Sequence, residues 1–331
     1  MKMSVLGGTG LSVSRIGLGL AALGRPGYIN LAHAEDLGGN YNEAAMEQHA
    51  HAVLDEAWRA GVRYFDAARS YGLAEKFLSS WLASRSIARG DIVIGSKWGY
   101  IYTAGWRASA EVHEVKDHTL PVLQRQWTET QALLGNYLDL YQIHSATIES
   151  GALENAAVLD ELARLKSRGV RIGLTITGPG QAATLRQAMA VNVDGMRLFQ
   201  VVEATWNLLE PSVGPALSEA KNAGLGVLIK EALANGRLTQ RNRDPAFAAS
   251  LALLRSEAAS RNISIDALAL AACLAQPFTD CVLSGAASAA QLRSNLNADA
   301  VELDPATLAR LATLAEPPET YWAIRKRLPW N

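Results

Sequence analysis

Apolar and polar positions take turns along this chain in two periods. Short apolar runs rich in β-branched residues recur near 16, 63, 92, 138, 171, 198, 226 and 281. Between them, apolar residues at three- and four-residue spacing predict helices over 46–60, 74–85, 119–135, 155–169, 181–191, 213–224 and 264–276, with a final helix from Ala289. Strand and helix in alternation are the mark of a parallel sheet, because each parallel connection needs a crossover. Eight strands favour closure into a barrel, although periodicity alone also allows an open, doubly wound sheet.

The ends of the chain add to this frame. Gly7-Gly8-Thr9-Gly10, flanked by Val5-Leu6 and Leu11-Val13, reads as the turn of a β-hairpin within about residues 1–15. Asp304-Pro305 opens a C-terminal extension of about 304–331. Gly17 to Ala22 formally satisfies the dinucleotide fingerprint Gly-x-Gly-x-x-Ala. That fingerprint needs a helix opening at its glycines, whereas Gly24-Arg25-Pro26-Gly27 follows and helical spacing starts only near Ala45. These glycines read instead as small residues in a crowded strand.

Three strand ends carry the chemistry. Val62, Tyr64 and Phe65 form a strand that ends in Asp66, with Tyr71 in the loop beyond it. The run Ile92 to Ser96 ends in Lys97, and Leu138 to Ile143 ends in His144. In a parallel barrel the carboxyl ends of all strands share one face, so these four side chains can meet there. Singly, each has an ordinary reading: a capping aspartate, a solvated lysine, a satisfied core histidine. Together they suit proton delivery to a carbonyl oxygen as hydride reaches its carbon. A tyrosine with a pKa near ~10 is a weak acid, an ammonium beside it stabilises the phenolate, and a carboxylate fixes that ammonium. A histidine can hydrogen-bond and orient the carbonyl.

Two loops on the same face shape a pocket. Residues 24–42, including Tyr28, form a long first loop. The third loop, Trp98 to His118, carries Trp98, Tyr100, Tyr102 and Trp106, and reads as a substrate wall or, beyond Tyr102, as a loop packed on itself. No metal site is expected, because His49 and His51 lie two apart on a helix and cannot face one ion.

The Phe-Asp-x-Ala-x-x-Tyr-Gly run at 65–72, Ser-Lys-Trp-Gly at 96–99 and Leu-Asp-Leu-Tyr-Gln-Ile-His at 138–144 resemble, in order and spacing, the pattern of the aldo-keto reductases. The resemblance extends from Leu6 to the Gln291–Asn295 segment. It implies a (β/α)8 TIM barrel, a hairpin closing its bottom, a nicotinamide cofactor (NADPH or NADH) bound without a Rossmann domain, and Tyr71 as general acid. It also implies a small-molecule carbonyl or alcohol as partner.

Relatives hold the nicotinamide carboxamide with Gly-Val-Ser-Asn; this chain has Gly173-Leu174-Thr175-Ile176, where Thr175 can replace the serine and Ile176 cannot replace the asparagine. Glu203-Ala204-Thr205-Trp206 stands where relatives offer Gln-x-x-Tyr. Trp206 is therefore expected to stack on the nicotinamide, and Glu203 to accept from the carboxamide. The segment from Lys230 to Leu238 resembles the loop that relatives fold over the pyrophosphate, which assigns Gly236 and Arg237 to phosphate. Lys230 and Glu231 are a charged pair near the barrel top, readable either as part of the site or as a structural ion pair. Ser288, Gln291 and Asn295 fall where relatives grip the adenosine phosphate, and neither Gly285 nor Gln291 is basic. That leaves NAD open beside NADP. Relatives fold their C-terminal tail across the substrate pocket, which brings in Trp322.

With 331 residues, 49% hydrophobic and 19% charged, the chain accommodates one barrel over 1–331 with extensions better than two domains, since barrels of this kind take about 250 residues. A formal net charge of -1 argues against a nucleic-acid or membrane-surface role. Without a signal-like or membrane-length apolar segment, a cytoplasmic location is expected, and Cys273 and Cys281 read as reduced thiols. The expected function is hydride transfer between a nicotinamide and an aldehyde, ketone or alcohol. The rivals are an NAD-dependent sugar (aldose) or alcohol dehydrogenase and, from another class, a cofactor-binding regulatory subunit with little turnover.

Overall fold

The apolar runs pair as parallel strands that close on themselves in the computed structural model, which describes residues 1–331. Strands β1 (Ile16–Gly19), β2 (Tyr64–Asp66), β3 (Val93–Trp98), β4 (Leu138–Ala146), β5 (Arg171–Ile176), β6 (Val201–Thr205), β7 (Gly226–Lys230) and β8 (Cys281–Ser284) neighbour one another in chain order, and β8 returns to β1. Helices α1 (Glu43–Arg59), α2 (Ala74–Arg85), α3 (Leu120–Leu134), α4 (Ala156–Ser167), α5 (Gln181–Ala190), α6 (Gly214–Asn222), α7 (Ile265–Leu274) and α8 (Ala289–Leu296) form the outer layer. The fold is a (β/α)8 barrel. No helix is long and apolar enough to cross a membrane.

Alternation along each strand sorts residues between two cores. On β2, Phe65 points outward and packs with Trp81 of α2, while Tyr64 and Asp66 point into the barrel. The barrel interior is filled from below by Tyr64, Val93, Leu140, Val201 and Leu228. Room for the tyrosine comes from two glycines. A Cβ on Gly95 would lie 2.4 Å from the Tyr64 hydroxyl, and one on Gly17 would lie 2.9 Å from its ring.

The N-terminal hairpin, Met3–Val5 paired with Ser12–Ser14, plugs the bottom by inserting Leu6 and Val13 beneath these side chains. Gly7 makes the close approach: it has φ +49°, and a Cβ there would meet the Gly226 nitrogen at 2.2 Å. Buried Asp280 ties this floor together. One of its oxygens accepts from the backbone of Gly7 (3.2 Å) and Val227 (2.9 Å), and the other pairs with Lys221.

Local chemistry moves several boundaries. Helix α1 starts at Glu43 because the Asn42 side chain caps the free amides of Ala44 and Ala45 at 3.1 and 3.3 Å. Strand β6 starts at Val201, later than the apolar run near 198, because Asn192–Val193 and Met196–Arg197 pair as a small antiparallel ribbon before it. The third loop contains another ribbon, Tyr100–Tyr102 against Glu114–Lys116. An additional helix, Ala248–Ala259, packs with α7 and with the tail helices Pro305–Ala312 and Pro318–Arg327. Its alanine- and leucine-rich sequence has no single apolar face, so periodicity does not single it out.

Replacing Asp280 with Ala strips two backbone amides and Lys221 of their acceptor and should cost about 3 kcal/mol of stability. Urea unfolding checks this: a midpoint within error of the wild type would show that the floor does not depend on the carboxylate.

Candidate active site

The carboxyl ends of β2, β3, β4 and β6 bring four charged or polar side chains into one cluster. Asp66 ends β2 pointing inward, and Tyr64 below it donates to its Oδ1 at 3.3 Å. Lys97, on β3, has no solvent exposure. Its ammonium pairs with Asp66 Oδ2 and lies 3.4 Å from Glu203 Oε2 of β6. Lys97 is thus shared between two carboxylates.

Tyr71 arrives from the loop after β2, which is held from both sides. Past the strand, Ala67 and Arg69 still donate to the carbonyls of Gly95 and Lys97, at 2.9 and 3.1 Å. Gly72 turns the chain at φ +61°, and Leu73 donates to Gly24 of the first loop at 2.7 Å. The Tyr71 ring stands 5.1 Å from the Lys97 ammonium and meets His144 edge-on at 5.4 Å. Its hydroxyl makes no hydrogen bond within the protein. His144 also contacts Tyr100, ring to ring at 4.9 Å, and its Nδ1 lies 3.4 Å from the Ser70 hydroxyl.

Burial sets the protonation of this cluster. It pushes the Tyr71 phenol far above its ordinary value, with Lys97 pulling the other way. Burial alone would discharge Lys97, but Asp66 and Glu203 hold the ammonium above its usual range. Burial, then the cations Lys97 and Lys230, keeps His144 well below the usual imidazole value, so it is neutral near pH 7. Asp66 is pushed up to about 7, first by burial and then by Glu203, against the pull of Lys97.

Asp66, Tyr71 and His144 line a cavity of about 360 Å³, together with Tyr28, Tyr100 and Glu203. A second cavity, about 210 Å³, shares Asn30, Leu233 and Gly285 with the first and reaches Gly236, Gln291 and Asn295. The two run from the tyrosine to the N-terminus of α8. Ser288 caps that helix, accepting from the Gln291 amide at 3.3 Å, and does not line either cavity.

Several sequence-based expectations are corrected by strand parity and packing. Lys97 faces the barrel interior, so Trp98 faces outward; it is fully buried beside His118 and is no substrate wall. The same parity turns Trp206 away from the cavity that Glu203 lines, and its ring packs on Phe278. Thr175 lies beneath the surface, accepting from the Ser145 amide at 2.7 Å, and Thr177 lines the cavity instead. Trp106 donates to the Tyr41 carbonyl and packs on Phe77. Arg237 is tied to Glu316 of the tail at 3.0 Å, away from both cavities. Trp322 is buried beside Tyr321 in the tail; Trp330 reaches the cavity.

Sequence reasoning passed over Arg25, Glu114, Ser145, Thr177, Arg325 and Trp330 in the cavity wall. Their signal was their place in loops on the catalytic face or in the tail, which names many more residues than these. Arg25 pairs with Glu114 at 2.8 Å, and Trp330 lies 4.8 Å from its guanidinium. Lys230 and Glu231 both line the cavity but do not pair with each other. Glu231 is taken by Arg325, whose Nε donates to it at 2.9 and 3.0 Å. Glu231, Ala234 and Asn235 all have positive φ, so this loop holds backbone strain at the cavity edge.

Residues 15–316 match the profile of the aldo/keto reductase family. The chain is 28% identical to L-galactose dehydrogenase of Arabidopsis thaliana over 96% of its length and 95% of the relative's. It is 26% identical to D-threo-aldose 1-dehydrogenase of a Pseudomonas species (83% and 90% covered), and 24% identical to an NADH-specific methylglyoxal reductase of Escherichia coli (96% and 99%). A solved aldo-keto reductase from Bacillus halodurans, in its holo form, shares the fold with a TM-score of 0.73 at 23% identity, covering 96% of this chain and 97% of that one.

Free aspartate titrates near ~3.9, so the folded protein holds the Asp66 proton more tightly than the unfolded chain does. This group's contribution to stability is complete below that value and is lost as pH rises through about 7. Glu203→Gln removes the second carboxylate and should flatten the fall in urea midpoint between about pH 5 and 8. An unchanged slope would mean that Glu203 does not raise Asp66.

Proposed function

The chain belongs to the aldo/keto reductase family, and from that premise we propose that it moves hydride between NAD(H) and the carbonyl or alcohol of a small polar substrate, with Tyr71 as the proton carrier. The observation that carries this reading is the free Tyr71 hydroxyl in the cavity, with the ring set between the Lys97 ammonium and a neutral His144. When bound, the nicotinamide gives or takes the hydride. Every other requirement falls on the protein.

In reduction, Tyr71 gives its proton to the carbonyl oxygen and is left as a phenolate beside Lys97; in oxidation the same phenolate takes the proton from the alcohol. Only the nearby ammonium eases that ionisation in so buried a place. Asp66 and Glu203 keep Lys97 charged and in position. His144, as a neutral ring, orients the substrate oxygen through a hydrogen bond.

The joined cavities fit an extended dinucleotide. Glu203 uses Oε2 for both Lys97 and the Gln142 amide (3.1 Å), which leaves Oε1 free to accept from a carboxamide NH2 at the cavity floor. At the far end, Gln291 and Asn295 lie at the N-terminus of α8, where backbone amides favour phosphate.

The adenosine end supports NADH over NADPH. Arg293 is engaged with Glu56 at 3.3 Å, and Arg241, in the second cavity, pairs with Asp36 at 2.7 Å. Asp266 in the same cavity can accept from ribose hydroxyls and would repel a 2'-phosphate. One relative is named NADH-specific, and two are named for sugar substrates. A sugar or sugar-like substrate is the class we favour.

Tyr71→Phe should lower kcat by a factor on the order of 100 or more while the dissociation constant for NADH stays within about twofold. Full turnover in that variant would remove Tyr71 from the chemistry. Titrations followed by tryptophan fluorescence, to which Trp330 in the cavity wall contributes, should show NADH binding about tenfold tighter than NADPH. Equal or reversed affinities would overturn the assignment of Asp266.

A further inference from the structure

The reaction cavity holds one half-buried cation with no counter-ion. Lys230 ends β7 and lines the cavity with Tyr71, His144 and Glu203. Its side chain forms no ion pair and no hydrogen bond, although three glutamates line the cavity with it. Each of those is committed to another cation: Glu231 to Arg325, Glu203 to Lys97, and Glu114 to Arg25.

Two more lysines add to the field. Lys326, in the tail, lines the same cavity, is exposed, and has no ion pair either. Lys116 sits 5.4 Å from the Tyr100 ring and gives its proton donors to the Ser145 carbonyl at 2.8 Å. It feels Lys230 as a like charge, as His144 does. Positive charge therefore converges on the tyrosine end of the cavity, while the arginines lining the two cavities are already satisfied.

A half-buried ammonium that gains no partner on folding is a cost to the apoprotein, and burial lowers its affinity for its proton. An anion placed there would offset that cost. We propose that Lys230 is a specificity residue that binds a carboxylate carried by the substrate, so that the enzyme acts on acidic aldehydes or their alcohols, such as oxo-acids and uronic acids.

The proposal rests on the reading of Tyr71 as the reacting end. Both a substrate carboxylate and a cofactor phosphate could answer a lone lysine. Lys230 lines the cavity of Tyr71 and His144 and not the one that reaches α8, which favours the substrate.

Succinate, a non-reacting dicarboxylate, tests the site without turnover. Calorimetry on the NADH-saturated protein should show it binding, at least about tenfold more weakly in Lys230→Met, and within about threefold of wild type in Lys230→Arg. Turnover should favour 4-oxobutanoate over the uncharged pentanal, and Lys230→Met should cut that ratio at least about tenfold through KM.

No binding of succinate, or equal binding in Lys230→Met, would overturn the proposal even if the enzyme turns over other aldehydes. A loss of NADH affinity in Lys230→Met with an unchanged substrate ratio would assign the lysine to the cofactor's phosphates and likewise overturn it. Failure of the hydride-transfer reading itself would show differently, as absence of NADH binding and of turnover with either aldehyde.

Discussion

The ammonium of Lys97, closed off from solvent at the centre of the barrel's upper end, is the constraint on which the rest of the site depends. An uncompensated buried charge costs several kcal/mol, and removal of one partner from a buried pair typically costs about 3–5 kcal/mol. Lys97 therefore needs its carboxylates in place, and those come from the neighbouring strand and from across the barrel: Asp66 from β2 and Glu203 from β6. Satisfying one cation fixes the relative positions of three strand ends. Tyr71 inherits its place from that arrangement, because its loop continues to hydrogen-bond along β3 and to lean on the first loop.

Below the cluster the barrel is packed to hold these positions. Tyr64 fills the space left by Gly17 and Gly95 and supports Asp66 from beneath through its hydroxyl. Under it, Leu6 and Val13 of the hairpin seal the floor, and Asp280 binds hairpin to barrel. The upper end is built differently. Its charges are matched in pairs drawn from distant segments, Arg25 with Glu114 and Arg325 with Glu231, which tie the third loop and the tail to the cavity wall. Burial would raise the Glu231 carboxyl, but Arg325 and Lys230 together hold it down to about 2. Lys230 is left over from this pairing, half-buried and without a counter-ion.

The departures from the family's nicotinamide-binding pattern are also easier to place in three dimensions. Thr177, two residues beyond Thr175 and on the same side of the chain, reaches the cavity that Thr175 does not. Glu203, besides facing the cavity, is part of the ion cluster, so its charge has a structural partner in Lys97. A carboxylate there acts electrostatically on Lys97 and Tyr71 together.

Much of this was legible in the chain itself. The βα alternation, the eight strands, the hairpin, and Asp66, Lys97 and His144 at strand ends follow from periodicity and local composition, because backbone geometry makes strand parity and strand ends local properties. Parity was also where single residues went astray. Trp98 and Trp206 fall next to inward residues and so point out, which a motif match does not count but a pleated strand enforces. Which of two tail tryptophans enters the cavity, that Glu231 answers Arg325 and not its neighbour Lys230, and that Lys97 serves two carboxylates were decided only by the closed barrel. The Glu231–Arg325 and Lys97–Glu203 pairs join residues 94 and 106 positions apart, and no local pattern reports a charge balance across such distances. The sequence alone determined the βα alternation and the strand ends that carry Asp66, Lys97 and His144; only the tertiary structure decided closure and how these charges are shared, because desolvation and pairing exist only once the chain has closed around them.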